Sequence, residues 1–168
     1  LSATIDKYVY CAVKWYPEVF GPKYHLVWSH IEDVSTVSEI LHPTIREALK
    51  MLNIDRGVEV HYMGDLPAKS GLGSSSSFAV GLLKALMRLD SGCFPTRMLN
   101  AMSVIELERN VLKESGGWQD QIAAAYGGMN LITFPKKADE VEPVVATKCR
   151  ALAGFNRPFE VEPVVAMK

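Results

Sequence analysis

The chain has 168 residues, enough for one domain with a substantial core, and its 48% hydrophobic and 22% charged composition excludes intrinsic disorder. Lys and Arg number 18 against 19 Asp and Glu, and this balance argues against a general binder of nucleic acid or membrane surfaces. No apolar run approaches a membrane span of roughly 20 residues and no signal-peptide pattern opens the chain, so we expect a cytoplasmic protein.

The beginning of the chain predicts a β-hairpin. Residues 3–16 alternate between two faces and are rich in β-branched and aromatic residues, which is typical of a strand. A Pro- and Gly-containing turn follows, and 24–29 reads as a second strand that pairs with the first as a hairpin.

The spacing of apolar residues then changes to a helical period over 36–53. Ser35 or Thr36 can cap the start of this helix, and Glu39 is placed to complete a capping box with Thr36. Pro43 lies inside the pattern, so we expect a kink or a break near 41–42. A further strand is predicted over 58–63.

A loop over 64–77 precedes an apolar helix over 78–89, which Ser91 and Gly92 end. The remaining predicted elements are a helix from Pro95 and Thr96 to about residue 112, with Met98, Met102 and Ile105 as its core stripe, a short helix over 118–126 and a strand over 129–134.

The end of the chain contains a near-duplicate. Residues 140–148 read EVEPVVATK and residues 160–168 read EVEPVVAMK. Two copies do not make a solenoid. We expect either a duplicated end segment without chemistry or a pair of edge strands with Pro near their start, and no contribution to an active site.

The most informative segment is 67–77, which reads PAKSGLGSSSS between a predicted strand and an apolar helix. Gly71 and Gly73 permit positive φ, and the first N–H groups of the following helix have no intrahelical partner, which suits a polyphosphate. The chain contains no Gly-Lys pair, as a P-loop requires, and Ser76 stands where a Rossmann fingerprint has its third glycine. A serine-rich linker that ends in an ordinary N-cap is the alternative.

Residues 67–76 resemble the second motif of the GHMP kinases, the superfamily of galactokinase, homoserine kinase, mevalonate kinase and phosphomevalonate kinase. Residues 108–128, ERNVLKESGGWQDQIAAAYGG, and residues 3–8, ATIDKY, are similar to its sugar-kinase branch, which includes D-glycero-D-manno-heptose 7-phosphate kinase. The resemblance extends over about 3–134 and implies an α+β fold of the ribosomal protein S5 domain 2-like type, with helices packed on one face of a mixed sheet.

The resemblance also implies ATP and Mg²⁺ as cofactors and a sugar or sugar phosphate as substrate. The loop residues implied to hold ATP are Lys69, Ser70, Gly71, Leu72, Gly73, Ser74, Ser75 and Ser76. Ser75 and Glu108 are implied as Mg²⁺ ligands, in keeping with the preference of that ion for hard oxygen donors. Glu106 is an alternative ligand, and Glu108 could instead be an ordinary exposed helix charge. Lys69 could equally be a solvated loop charge.

Asp120 corresponds in the resemblance to the catalytic Asp near the acceptor hydroxyl. It could accept the proton of that hydroxyl or orient it, or it could only complement the helix dipole. Its neighbours Trp118, Gln119 and Gln121 are of the types that recognise sugars by stacking and hydrogen bonds, although Trp118 could equally be a core residue.

Two motifs of the superfamily are absent, one expected ahead of Leu1 and one after the last residues. We therefore expect residues 1–134 to be an incomplete N-terminal ATP-binding domain and 135–168 to be a tail. A missing C-terminal domain would expose an apolar face and favour self-association. The implied activity is transfer of the γ-phosphate of ATP to a sugar hydroxyl, the anomeric one of a heptose 7-phosphate. The alternatives are an L-fucose or galactose kinase and a nucleotide-binding module without turnover.

Overall fold

The structure, a computed structural model, describes residues 1–17, 19, 21–67, 70–134 and the backbone of 160–163. The strands in this part of the chain are β1 (Ser2–Ala3), β2 (Val9–Trp15), β3 (Tyr24–Val27), β4 (Ile31–Val34), β5 (Val58–Gly64), β6 (Met129–Thr133) and β7 (Glu160–Pro163). The α-helices are α1 (Pro43–Met51), α2 (Ser74–Ser91), α3 (Arg97–Ile105) and α4 (Gln119–Tyr126), with a 3₁₀ turn at Val37–Glu39 and a π-helical turn at Glu106–Val111.

The larger sheet is mixed and has the strand order β2-β5-β3-β4. β5 pairs antiparallel with β2 and parallel with β3, whereas β3 and β4 form an antiparallel hairpin. The predicted hairpin of the first two strands is therefore wrong, because β5 lies between them. β5 takes the central place because its inward residues Val58 and Val60 are fully buried, and a central strand buries the most apolar surface.

Two other strand predictions need correction. The strand predicted over 3–16 is two strands, β1 and β2, and residues 4–8 between them are not extended in a ladder. β4 has no counterpart among the predicted strands. Its short sequence Ile-Glu-Asp-Val does not alternate between apolar and polar residues, and the residue that it buries is the charged Glu32.

Glu32 is satisfied in the core by three donors. Its carboxylate accepts hydrogen bonds from the Trp28 indole at 2.7 Å and from the backbone N–H groups of Leu41 at 2.6 Å and His42 at 3.3 Å. These bonds secure the chain between the 3₁₀ turn and α1. The predicted break is confirmed, since Pro43 occupies the first turn of α1, where a missing N–H costs nothing. Glu39 accepts from the N–H of Thr36, as predicted.

Helix α2 packs across the inner face of this sheet. A Cβ added at Gly81 would meet the Cβ of Cys11 on β2 at 3.6 Å, so helix and strand approach closely. The helix begins at Ser74, four residues earlier than predicted, so the serines of the loop form its first turn. Leu82, Leu83 and Leu86 of this helix are fully buried. The opposite face of the sheet exposes Tyr10 and Met63, which confirms helices on one face.

A smaller sheet has the strand order β1-β6-β7, and its strand β6 follows α4 in the chain. β7 is the start of the second near-duplicate segment and pairs antiparallel with β6, whereas 140–148 lies outside the described residues. Over the described ranges, no helix is long and apolar enough to cross a membrane.

Candidate active site

The glycine-serine loop ends in the first turn of α2. Gly71 and Gly73 both have φ of +73°, and Gly73 is the residue that precedes the helix. The left-handed conformation turns the chain sharply into the helix at little steric cost only for glycine. The N–H groups of Ser74, Ser75 and Ser76 then lie at the positive end of the helix, a geometry that binds anions.

Glu108 reaches the same place from a π-helical turn. The turn widens the helix after Ile105, with the N–H of Leu112 bonded to the carbonyl of Leu107 and the N–H of Glu114 to the carbonyl of Glu108, both at 2.9 Å. Such turns are frequent at functional sites. The sequence predicted an uninterrupted helix to about residue 112, because a π-turn has no clear sequence pattern.

The Glu108 carboxylate joins three elements of the fold. Its Oε2 atom accepts a hydrogen bond from the Ser76 hydroxyl at 3.0 Å and another from the Gln121 amide of α4. The Glu108 side chain is only 3% exposed, and among the described residues its Oε1 atom has no hydrogen-bond partner.

Burial raises the pKa of the Glu108 carboxyl, because a low-dielectric surrounding disfavours its charge. The bonds from Gln121 and Ser76 oppose this rise, and the negative charges of Glu114 and Asp120 add to it. The site thus concentrates negative potential at a buried carboxylate, and a cation would relieve this cost.

Asp120 lies in the first turn of α4. A Cβ added at Gly73 would be 3.7 Å from the Asp120 carboxyl carbon, so this carboxylate lies against the start of α2. The two carboxylates line one pocket of about 330 Å³, together with Ser75, Ser76, Arg109, Glu114, Ser115, Gly116, Gly117, Gln119 and Gln121.

The residues predicted from sequence divide into three groups. Ser75, Ser76, Glu108, Gln119, Gln121 and Asp120 line the pocket. Ser70, Gly71, Leu72, Gly73 and Ser74 form the adjoining loop and helix start, whereas Lys69 lies outside the described residues. Trp118 is half-buried, packs against a second core cluster and meets Phe134 edge-on at 6.4 Å, which favours its reading as a core residue.

The structure bonds Glu108 to Ser76 rather than to the predicted Ser75, and it separates Glu108 from the alternative ligand Glu106. The hydroxyl bonded to Glu108 belongs to Ser76, which is buried, while the exposed Ser75 lines the pocket without that bond. Glu106 accepts a hydrogen bond from Asn110 and does not line the pocket. Arg109 and the Glu114–Gly117 turn were missed, since nothing in their spacing sets them apart from a surface loop.

The donor set fits a magnesium ion. The described residues contain no cluster of three His, Cys, Asp or Glu side chains that would form an all-protein metal cage. Mg²⁺ does not require such a cage, because it is bound through one or two carboxylates together with waters and substrate phosphates. The unpartnered Oε1 of Glu108, beside a helix start suited to phosphate, meets that requirement.

The sequence profile described as "GHMP kinases N terminal domain" matches residues 35–128. The matched region holds both the loop and α4. The chain belongs to the GHMP kinases, and the resemblance noted from the sequence is confirmed.

Two curated relatives are kinases of sugars. The chain is 40% identical over 78 residues to a D-glycero-alpha-D-manno-heptose 7-phosphate kinase of Campylobacter jejuni, covering 45% of this chain and 22% of the relative. It is 31% identical over 119 residues to a bifunctional fucokinase/GDP-fucose pyrophosphorylase of Arabidopsis thaliana, covering 63% of this chain and 11% of the relative. The chain thus spans less than a quarter of either relative.

Solved structures agree on the α+β fold. A D-glycero-D-manno-heptose 1-phosphate kinase from Bacteriodes thetaiotaomicron superposes with a TM-score of 0.66 at 26% identity, covering 77% of this chain and 45% of that one. A putative sugar kinase from Campylobacter jejuni superposes with a TM-score of 0.65 at 22% identity, covering 97% of this chain and 48% of that one.

Proposed function

We propose that this chain carries the ATP site of a cytoplasmic sugar kinase that transfers the γ-phosphate of ATP to the anomeric hydroxyl of a heptose 7-phosphate. The observation that carries the proposal is the convergence of Glu108, Asp120 and the N-terminus of α2 on one pocket. Phosphoryl transfer needs this combination, because its catalysis is mainly positioning and neutralisation of charge.

The start of α2 and the loop before it bind the phosphates of ATP. The backbone of 71–76 supplies N–H donors and the helix dipole, and Ser74, Ser75 and Ser76 add hydroxyls. Mg²⁺ supplies neutralisation of the phosphate charge when it is bound. Glu108 would hold it through Oε1, with a serine hydroxyl of the first turn of α2 beside it.

Asp120 acts on the acceptor. Its carboxylate accepts the proton of the sugar hydroxyl as the new bond from that oxygen to the γ-phosphorus forms and the bond to the bridging oxygen of ADP breaks. Its place in the first turn of α4, against Gly73, supports this role because the side chain lies beside the phosphate-binding backbone.

The choice of a heptose phosphate is supported by the names of the Campylobacter and Bacteriodes relatives, both kinases of heptose phosphates. An L-fucose or galactose acceptor is the alternative, and the match to the plant fucokinase favours testing it. Gln119 lines the pocket and is exposed, so its amide is available to contact the sugar.

The test measures ADP release by the intact protein with ATP and Mg²⁺ against a panel of D-glycero-D-manno-heptose 7-phosphate, L-fucose, galactose and fructose. Phosphorus NMR of the product then identifies the phosphorylated hydroxyl. Release with the heptose phosphate alone and an anomeric phosphate in the product support the proposal. ATP binding without ADP release on any sugar would instead indicate a nucleotide-binding module.

A further inference from the structure

Gln121 does not have the surroundings of a sugar-contacting residue. Its side chain is 5% exposed, and its Nε2 atom donates to Oε2 of Glu108. Sequence alone placed it with Gln119 as a substrate residue, but Gln119, two positions earlier in the same helical turn, is exposed. The two glutamines therefore have different roles.

We propose that Gln121 is a positioning residue, which holds the Glu108 carboxylate in the orientation that keeps Oε1 free for a divalent cation bound with the nucleotide. The proposal rests on the proposed function. Its physical basis is that the two oxygens of the Glu108 carboxylate differ in their number of hydrogen-bond donors. Oε2 accepts from both Gln121 and Ser76, whereas Oε1 has no partner among the described residues.

Two donors on one oxygen remove the freedom that a carboxylate otherwise has. The terminal torsion of a glutamate is broad and roughly two-fold, so a single donor would leave the carboxylate free to rotate or exchange its oxygens. A second donor from a different helix determines which oxygen accepts the hydrogen bonds and the plane in which the carboxylate lies. Metal ligands are commonly fixed in this way by outer partners, and the loss of such a partner costs metal affinity.

The same bond links the two elements that carry the carboxylates. Gln121 follows Asp120 directly in the first turn of α4, and Glu108 lies in the π-turn after α3. A bond from Gln121 to Glu108 therefore couples the helix that carries the acceptor-side carboxylate to the turn that carries the cation-side one. Gln121 lines the pocket, but in this role it acts through Glu108 and not through a substrate.

The test replaces Gln121 by Met, which has nearly the same length but no donor, and by Asn, which keeps the amide but is one methylene shorter. Mn²⁺ serves as the probe, and its binding to the intact protein with a non-hydrolysable ATP analogue is measured from the loss of the free-ion EPR signal beyond the loss that the analogue causes without protein. We expect the Mn²⁺ dissociation constant to rise about 10- to 100-fold in both variants. In turnover assays the Mg²⁺ requirement should rise likewise, while the KM for the sugar stays within twofold.

Asn100 supplies the matched control. It is also a buried carboxamide, 3% exposed, whose Nδ2 donates once, to the carbonyl of Val80 at 3.1 Å, and it does not line the pocket. Asn100→Leu should lower the melting temperature about as much as Gln121→Met and leave the Mn²⁺ dissociation constant unchanged.

A raised sugar KM in the Gln121 variants, with Mn²⁺ binding unchanged, would overturn the inference and return Gln121 to the substrate residues. Equal loss of Mn²⁺ binding in Asn100→Leu would also overturn it, because the effect would then be one of general stability. Failure of the unmutated protein to bind Mn²⁺ with the nucleotide would overturn the proposed function itself and the inference with it.

Discussion

Asp120 lies directly against Gly73: a methyl group at position 73 would meet the carboxyl carbon of Asp120 at 3.7 Å and its Oδ2 atom at 3.8 Å. Gly73, which turns the chain into α2, is thus also in contact range of Asp120, the carboxylate proposed to act on the acceptor hydroxyl. A side chain here would affect the phosphate-binding backbone and the position of Asp120 together.

Gly73→Val should weaken nucleotide binding. Valine resists the φ of +73° found at this position and would place two methyl groups between the helix start and Asp120. We expect ATP affinity, measured by calorimetry, to fall by at least about tenfold, equivalent to about 1.4 kcal/mol. Gly92→Val is the control, since Gly92 has a φ of +72° at the other end of the same helix. It should cost similar stability and leave ATP affinity unchanged; an ATP affinity within twofold for Gly73→Val would refute the loop assignment.

Asp120→Asn and Glu108→Gln should separate the two carboxylates kinetically. Asn keeps the shape of Asp but cannot accept the proton, so turnover should fall roughly 10²- to 10⁴-fold, with ATP and Mg²⁺ affinities nearly unchanged. Glu108→Gln removes a negative hard ligand, so excess Mg²⁺ should restore part of its rate. The measurement is rate against Mg²⁺ concentration. Rescue of the Asp120 variant but not of the Glu108 variant would show that the two roles are reversed.

Glu108 should also make the free protein less stable as pH rises. The unfolded chain releases this proton near the ordinary glutamate pKa of about 4.3, and burial raises the pKa in the folded state. Between these two values the folded state binds more protons, so the free energy of unfolding falls as pH rises through the window and stays reduced above it. Glu108→Gln should remove that fall, so its stability relative to the unmutated protein should be greater at about pH 8 than at about pH 4 in urea titrations.

Glu39→Gln is the control of opposite sign. Backbone hydrogen bonds from Thr36 and Ser35 lower the pKa of the exposed Glu39, so its contribution is present above the ordinary pKa and is lost as pH falls through the folded value. That variant should lose more stability at about pH 8 than at about pH 4. The same pH trend for both variants would contradict the assignment of the effect to burial of Glu108.

Glu32→Ala should be among the most damaging changes outside the pocket. It would leave the Trp28 indole and the N–H groups of Leu41 and His42 without their buried acceptor. We expect a loss of about 3 kcal/mol in the free energy of unfolding, measured by urea denaturation. Asp33→Ala, on the exposed face of the same strand, removes only a pair with His25 and should cost less than about 1 kcal/mol. Similar losses for both would mean that the three donors find other acceptors.

The sequence alone determined those features whose causes are local. Pro43 predicted the break before α1 because its ring and missing N–H act on its own turn. The two glycines before an apolar helix predicted the loop, since positive φ and free helix N–H groups follow from neighbouring residues. The glycine-serine loop, together with residues 108–128 and 3–8, also carried the resemblance to the GHMP kinases, which the family match confirms.

The tertiary structure decided what depends on partners distant in the chain. β5 separates β2 from β3 because strand order follows burial across the whole sheet, a quantity that alternation within one strand does not contain. Ser76 rather than Ser75 is bonded to Glu108, because the helix begins four residues earlier than its apolar pattern does and buries Ser76, not Ser75, in its first turn. Gln121 and Glu108 are 13 positions apart. Only the packing of α4 against α2 and α3 brings the amide to the carboxylate, which is why their spacing in sequence could not predict the bond.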